Sequence, residues 1–249
     1  MKFDIGAVTN TGKTRNHNED SCLYISGNRQ GIGCAMLMVA DGMGGLANGQ
    51  MASHMLIQEM QNFWDQFIAE QQRTDLNIIS AALDQVIYQV HRMLYEMTGD
   101  QQKSGTTLSL LFIYGDTGIM KQVGDSRIYR IYEGMIRQLT EDQTYENYLI
   151  RTGQMKETQR DPWKNQALVN AIGVSEELDI ATKSTQIRIG LGFLLATDGF
   201  YHGQPFQPEY YNWKNADMID AQSVLNSITA MILTGPASDN LTAVLVKIK

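Results

Sequence analysis

Apolar residues along this chain fall into many short runs and three longer periodic segments. The short runs are rich in β-branched or aromatic residues, or alternate apolar with polar positions, and Gly, Asp or Asn often flanks them, which is typical of β-strands. We therefore predict strands at Phe3–Thr9, Ser21–Ser26, Cys34–Ala40, Thr107–Tyr114, Gly118–Val123, Arg127–Ile131, Ile180–Ile187, Phe193–Ala196 and Leu241–Ile248.

Three longer segments carry apolar residues at a spacing of three to four, which predicts amphipathic helices. These segments are Gly49–Glu70, Asp75–Met97 and Asp217–Leu233. Two adjacent helices, a late helix and many strands favour an α+β layered fold with sheets in the middle and helices outside. The polar stretch Glu141–Gln166 has weak helical spacing, and we interpret it as an insertion or flap on the surface.

Composition and charge exclude several classes of protein. The chain has 249 residues, 43% of them hydrophobic, so its bulk is not disordered, and its length allows one or two domains. A net charge of -7 makes it a poor partner for nucleic acids or anionic membranes. We expect neither a signal peptide nor a membrane helix, since no run of about 18 apolar residues occurs. Cys22 and Cys34 cannot form a disulfide framework, so we expect reduced core thiols and a cytoplasmic protein.

Acidic residues recur at the ends of the predicted strands, and three of the six stand beside glycine. A carboxylate at the end of a buried strand is held by a rigid scaffold, as a ligand group needs to be. A single acid of this kind most often belongs to a turn or a cap, but that interpretation weakens for an ordered set. The set comprises Glu19, Asp20, Asp41, Asp125, Asp198 and Asp239.

If these acids converge, their mutual repulsion would destabilise an empty cluster, and divalent cations would remove that cost. The motifs offer carboxylates and backbone carbonyls but almost no His or Cys, a donor set that suits Mg²⁺ or Mn²⁺ better than Zn²⁺. Two such ions sharing one Asp could lower the pKa of a bridging water and aim it at phosphorus. Arg15, four residues before Glu19, could grip the phosphate through two hydrogen bonds.

Six motifs in order resemble one family: R-x-x-N-E-D, V-A-D-G-M-G-G, S-G-T-T, V-G-D-S-R, A-T-D-G and S-D-N. Together they are similar to the metal-dependent serine/threonine protein phosphatases, the PPM or type 2C family, in its bacterial branch. The resemblance runs from Asp4 to Lys249 and implies one catalytic domain over residues 1–249, with a flap at about 141–166. It implies a four-layer α-β-β-α sandwich of two central antiparallel sheets flanked by helices, with a metal cluster in a cleft at one sheet edge.

The resemblance implies two core ions, Mn²⁺ or Mg²⁺. Asp41 would bridge them, Glu19 and the Gly42 carbonyl would hold one, and Asp198 and Asp239 would hold the other.

Other matched positions imply supporting roles. Asp125, together with Asp198, matches the third-ion site of the bacterial branch. Asp20 matches an outer acid that orients metal-bound water, and Arg15 matches the phosphate-binding arginine. Asn240 would steady the loop of the last ligand or a water, and the S-G-T-T segment Ser104–Thr107 is interpreted as strand packing near the cleft.

The chain departs from the family pattern at several positions. Met43 stands where eukaryotic members carry a His proposed as general acid, which leaves the leaving-group acid unassigned. Gln143 stands where bacterial relatives usually have His, and V-N-A-I-G at residues 169–173 lacks an Arg of the family. An unusual aromatic segment follows Gly199, at residues 200–213. We place these departures at the flap or cleft rim, so they bear on substrate preference rather than on metal chemistry.

We therefore expect a phosphoserine/phosphothreonine protein phosphatase that acts by direct attack of a metal-bridging water or hydroxide, without a covalent intermediate. No Cys-x5-Arg nucleophile loop is present. The resemblance implies phosphorylated proteins and a bacterial Ser/Thr kinase as partners, and we expect a monomer. A different phosphoester substrate is one alternative. A catalytically silent phosphoprotein-binding module is another, but it would be expected to lose Asp41, Asp198 or Asp239, and all three are present.

Overall fold

The computed structural model describes residues 1–44, 48–70, 75–98, 104–160, 166–216 and 219–249. Its strands are β1 (Phe3–Asn10), β2 (Ser21–Arg29), β3 (Ile32–Ala40), β4 (Gly42–Met43), β5 (Gly105–Thr106), β6 (Leu108–Tyr114), β7 (Thr117–Val123), β8 (Arg127–Tyr132), β9 (Met135–Gln138), β10 (Ala181–Gln186), β11 (Gly192–Ala196) and β12 (Leu241–Ile248). Its helices are α1 (Asn48–Ala69), α2 (Leu76–Thr98), α3 (Tyr145–Arg151), α4 (Asp198–Tyr201), α5 (Trp213–Ala216) and α6 (Ala221–Ile232).

Two five-stranded antiparallel sheets form the middle of the molecule. The first sheet has the strand order β1-β12-β11-β8-β9, and the second has the order β10-β7-β6-β3-β2. The short strands β4 and β5 pair with each other at the site end of β3. The nine predicted strands are confirmed with small shifts at their ends, whereas β4, β5 and β9 were not predicted.

Side chains on β3 show how the layers are built. Met36 and Met38 face α1 and α2, whereas Leu37 and Val39 lie in the core between the two sheets. Because both faces of the strand are covered, its sequence is apolar at nearly every position instead of alternating. The first sheet is covered on its outer face by α6, and the predicted four-layer α-β-β-α sandwich is therefore confirmed.

Glycine in β1 lets α6 approach this sheet closely. A Cβ on Gly6 would meet the α6 backbone at Ala221 and Gln222. The side chain of Gln222 also bonds the backbone of Ala7, through both its oxygen and its nitrogen at 3.0 Å. The helix therefore rests directly on the strand.

Helix ends differ from the prediction where a capping residue sets the boundary. We predicted the last helix from Asp217, but α6 begins at Ala221 because Asp220 caps it, accepting a bond from the Ser223 amide at 2.8 Å. Residues 217 and 218 of that predicted segment lie outside the described residues.

The predicted flap, residues 141–166, contains α3, whose first turn is capped by Thr144. Most of this segment is exposed, but Asp142 and Glu146 are buried at its base. Residues 161–165 lie outside the described part of the chain. Among the helices that the structure describes, none has the length and apolar character needed to cross a membrane.

Candidate metal centre

Asp41 directly follows β3, and its backbone is held on both sides. Its amide donates to the Thr107 hydroxyl at 3.0 Å, and its carbonyl accepts from the Thr107 amide at 2.9 Å and the Thr106 hydroxyl at 3.1 Å. The Thr107 hydroxyl also lies 2.6 Å from that of Ser126. Ser104–Thr107, the segment that we predicted to pack near the cleft, thus holds Asp41 in place and links it to the turn that carries Asp125.

Gly42 brings the loop of Glu19 against the start of α1. Its amide donates to the Glu19 carbonyl at 3.2 Å, and a Cβ at this position would collide with the carbonyls of Glu19 and Gly49. The same Glu19 carbonyl accepts from the Ser53 hydroxyl at 2.6 Å, and the Glu19 amide donates to the Asn240 side chain at 2.9 Å. Only glycine permits this close approach.

Asp20 is the least exposed of the six acids, at 6%. One carboxylate oxygen accepts from the Thr197 hydroxyl at 2.9 Å, and the other is buried without a hydrogen-bond partner among the described residues. Burial, followed by repulsion from Asp198 and Asp239, raises the pKa of Asp20 to about 7. An orphaned carboxylate oxygen at this position is suited to accept a proton or a hydrogen bond from water.

Neighbouring strands deliver Asp198 and Asp239 to one edge. Asp198 opens α4 directly after β11, and Asp239 precedes β12, the strand that pairs with β11. A Cβ on Gly199 would collide with the Asn240 backbone, so glycine lets the two segments touch. The Asn240 side chain donates to the carbonyls of Thr11 and His17 at 2.9 Å each, which ties the loop of the first motif to the last.

Asp125 lies in the turn after β7, behind Gly124, whose φ is +89°. Burial, then repulsion from Asp198, raises the pKa of Asp125 to about 7. Burial also raises the pKa of Asp41 well above its usual value, and Asp20, Asp198, Asp125 and Asp239 each raise it further. Five aspartates from five separate segments therefore lie close enough to repel one another.

Arg15 stands at the rim of this acidic cleft. Its guanidinium donates to the Asp239 carboxylate at 2.9 Å, and its side chain is 53% exposed. That hydrogen bond is the main reason that the pKa of Arg15 is raised, with Glu19 and Asp41 contributing in the same direction. The arginine is accessible from solvent and is held in the cleft by a carboxylate.

The chemistry of the donor set fits hard divalent cations. The convergent groups are the carboxylates of five aspartates, and cations would offset the repulsion that helps to raise the pKa values of Asp20, Asp41, Asp125 and Asp198. Within the described part of the chain, no three acidic, His or Cys side chains stand together as ligands in their present rotamers. In its present rotamer the Asp239 carboxylate lies against Arg15.

A second group of contacts on the flap side was missed by our sequence analysis. Arg127 chelates Asp142 with three bonds of 2.7 to 3.1 Å, and its guanidinium lies 3.8 Å from the centre of the Tyr201 ring. Arg127, Thr107 and Thr197 lie in the motifs V-G-D-S-R, S-G-T-T and A-T-D-G, but the sequence does not show which residues they contact.

Two of the positions that depart from the family pattern lie near the acidic cluster or the short strand that follows Asp41. Met43 lies in β4, opposite Gly105 of β5. The Gln143 side chain accepts from the Gly124 amide and from Asn170, at 2.7 Å each. Gln143 therefore contacts the turn of Asp125 directly. Gln143 lies in the segment predicted as the flap, and its side chain reaches the turn that carries Asp125.

Comparison with known proteins gives the family. The profile described as Protein phosphatase 2C matches residues 11–247. The serine/threonine phosphatase stp of Listeria innocua is 31% identical over 203 residues, covering 79% of this chain and 77% of that protein. The structure of the S. agalactiae serine/threonine phosphatase has a TM-score of 0.83 at 24% identity and covers both chains fully. The catalytic domain of the phosphatase PstP, solved with two manganese ions, has a TM-score of 0.76 at 25% identity and covers 99% of each chain.

The profile match spans nearly the whole chain, and the solved structures share its layered architecture. The acidic cluster lies where the ordered motifs of the sequence meet. This chain belongs to the protein phosphatase 2C family, whose members are metal-dependent serine/threonine phosphatases.

Proposed function

We propose that this protein is a metal-dependent phosphatase that removes phosphate from serine and threonine in proteins. The observation that carries the proposal is the convergence of five aspartates at one sheet edge, with an accessible arginine at its rim. The relatives that match it are named serine/threonine phosphatases. We further propose that residues 1–249 form a single catalytic domain.

Two divalent ions, Mn²⁺ or Mg²⁺, would occupy the centre of the cluster. Asp41, Glu19 and the Gly42 carbonyl would serve one of them, and Asp41, Asp198 and Asp239 the other. The two manganese ions of the PstP catalytic domain support this count. When bound, such ions supply an activated water near neutral pH and stabilise charge on phosphate oxygens.

A third ion would be held by Asp125 and Asp198. The two carboxylates lie close enough to interact, since repulsion from Asp198 is, after burial, the largest cause of the raised pKa of Asp125. This outer position lies next to the flap.

The chain's own side chains have further roles in this proposal. The unpartnered oxygen of Asp20 would orient the attacking water by accepting its hydrogen. Arg15 would exchange its single bond to the Asp239 carboxylate for paired bonds to phosphate oxygens. Met43 has no proton to donate to the leaving group, so the general acid of the reaction stays unassigned.

Attack without a covalent intermediate is supported by the state of the two thiols. Cys34 is fully buried, and burial raises the pKa of Cys22 to about 11. A thiolate nucleophile needs a lowered pKa and access to substrate. Neither cysteine meets this requirement.

A groove of about 730 Å³, with both polar and apolar walls, supports a protein substrate. It runs between α3, the segment 169–179 and the edge formed by β7 and β10, and it includes Gln143, which contacts the turn of Asp125. Such a groove has room for polypeptide flanking a phosphorylated residue. We propose a bacterial Ser/Thr kinase and its substrates as partners, action as a monomer, and a cytoplasmic location, which the two free cysteines support.

The test measures hydrolysis of para-nitrophenyl phosphate and of a phosphothreonine peptide. Activity should require added Mn²⁺ or Mg²⁺, disappear in EDTA and return when Mn²⁺ is restored, because only oxygen ligands are available. Asp41→Asn should be inactive, whereas Asp116→Asn, at an exposed turn, should match wild type. Full activity in thoroughly chelated protein would contradict the proposal, and phosphopeptide binding without hydrolysis would favour the silent module.

A further inference from the structure

One turn of helix carries an acid of the cluster at its start and an unassigned tyrosine at its end. Helix α4 begins with Asp198 and ends with Tyr201. The Tyr201 side chain is buried, and its hydroxyl donates to the backbone carbonyl of Asp125 at 3.1 Å. The segment that presents Asp198 therefore also holds the backbone of Asp125.

The ring of Tyr201 is itself fixed in position. The Arg127 guanidinium stacks on it at 3.8 Å, and Arg127 is locked by its chelate with Asp142. Arg127 also donates to the hydroxyl of Tyr129 at 3.1 Å. A buried ring under a locked guanidinium has little rotamer freedom, so its hydroxyl is pre-positioned for the Asp125 carbonyl.

The other side of the Asp125 turn is held from the flap base. Gly124 donates its amide to the Gln143 side chain at 2.7 Å, and its carbonyl accepts from the Gln143 amide at 3.0 Å and from Gln122 at 3.1 Å. With Gln143 fixing residue 124 and Tyr201 fixing residue 125, the turn cannot shift relative to α4 without breaking a bond.

We propose that Tyr201 is a positioning residue whose hydroxyl sets the separation between Asp125 and Asp198, the two carboxylates of an outer divalent-cation site. The inference rests on the proposed function, because it concerns the third ion of that site. It gives a role to the aromatic segment that the motifs leave unexplained. Tyr201 touches neither substrate nor ion in this role and acts through the Asp125 backbone.

The test compares Tyr201→Phe with Tyr129→Phe by calorimetric Mn²⁺ titration and steady-state kinetics. Both substitutions remove one buried hydroxyl in contact with the Arg127 neighbourhood, but only Tyr201 bonds Asp125. In Tyr201→Phe the weakest Mn²⁺ binding event should weaken about three- to tenfold, the equivalent of one hydrogen bond. The kcat at limiting Mn²⁺ should fall similarly and recover at excess Mn²⁺, with KM unchanged. Tyr129→Phe should match wild type in all three measurements, because Arg127 keeps its three bonds to Asp142.

Melting temperatures of both metal-free variants show whether the ring stays packed, which Phe permits because it keeps the buried face. Equal Mn²⁺ affinities for wild type and Tyr201→Phe overturn the inference, as does an equal loss in Tyr129→Phe. A loss of kcat that excess Mn²⁺ does not restore also overturns it. Wild type that binds only two ions overturns the inference while leaving the phosphatase function intact. Wild type without Mn²⁺-dependent hydrolysis instead overturns the proposed function.

Discussion

Arg15 has one carboxylate partner in the structure and one phosphate partner in the proposed reaction. Because it donates to Asp239 now, its removal frees a ligand and should not weaken metal binding. Arg15→Ala should therefore raise KM about 10- to 100-fold, the range expected for losing bonds to a charged group, while Mn²⁺ affinity does not fall. Arg15→Lys keeps the charge but not the paired geometry, so its KM should lie between those of wild type and Arg15→Ala. Loss of metal binding in Arg15→Ala would give Arg15 a structural role instead.

Variants of Asp41 and Asp125 should distinguish the two core ion sites from the outer ion site. Asp41 lies among four other aspartates. The pKa of Asp125, in contrast, is raised mainly by burial and by repulsion from Asp198. Asp41→Ala should abolish bound metal and nearly all turnover, and Asp125→Ala should keep two tight ions but turn over more slowly. Both should fold, since removing a carboxylate also removes repulsion. Calorimetric metal titration decides this, and empty core sites in Asp125→Ala would reverse the assignment.

Residue types and spacing pointed to the five aspartates that converge in the structure, because each one stands at the beginning or the end of a recognisable strand. The residues that hold them were not predictable in this way. Thr107 and Thr197 act through bonds to Asp41 and Asp20, from segments far away in the chain. Tyr201 reaches Asp125 across 76 positions. Such contacts arise only from the packing of layers, which no local pattern records.

At the scale of elements, the contact between β1 and α6 depends on a missing side chain. A Cβ on Gly6 would lie 2.5 to 2.6 Å from backbone atoms of α6, and a backbone cannot move aside as a flexible side chain can. Gly6→Ala should cost about 1 to 3 kcal/mol and lower the melting temperature by roughly 2 to 4 °C per kcal/mol in a chain of this size.

Gly33→Ala is the matched control, since its Cβ would meet its nearest neighbour at 3.7 Å, an ordinary contact. Its melting temperature should stay close to that of wild type. Equal melting temperatures for the two variants would show that α6 tilts away from β1 at little cost.

Elements with a clear period were predictable, and those without one were not. The long helices and apolar strands bury whole faces, so their patterns are strong. The two-residue strands β4 and β5 carry no pattern, and α3 and α4 are set by caps and by neighbouring segments. Two of these short elements border the acidic cluster, since β4 directly follows Asp41 and α4 begins at Asp198.

At the scale of the whole molecule, the cluster should make stability depend on pH and metal together. The pKa values of Asp20 and Asp125 are raised to about 7, and those of Asp41 and Asp198 are also raised, mainly by burial. The unfolded chain has ordinary carboxyl pKa values near ~4, so between these values the folded protein binds more protons than the unfolded one. Stability of the metal-free protein should therefore fall as pH rises from about 5 to about 8.

Mn²⁺ binds only the folded state and keeps the carboxylates ionised. With Mn²⁺ bound, stability should therefore rise with pH instead of falling. At a free concentration about 100 times the dissociation constant, the gain is about 2.7 kcal/mol, which should be largest near pH 8, where protons no longer compete. Melting temperatures recorded across this range, with EDTA and with Mn²⁺, measure both slopes. Asp125→Asn removes one raised carboxylate and should flatten the metal-free slope, whereas Asp116→Asn should not. A metal-free melting temperature that rises with pH would mean that the folded protein does not keep these carboxyl groups protonated, which would contradict the raised pKa values of the cluster.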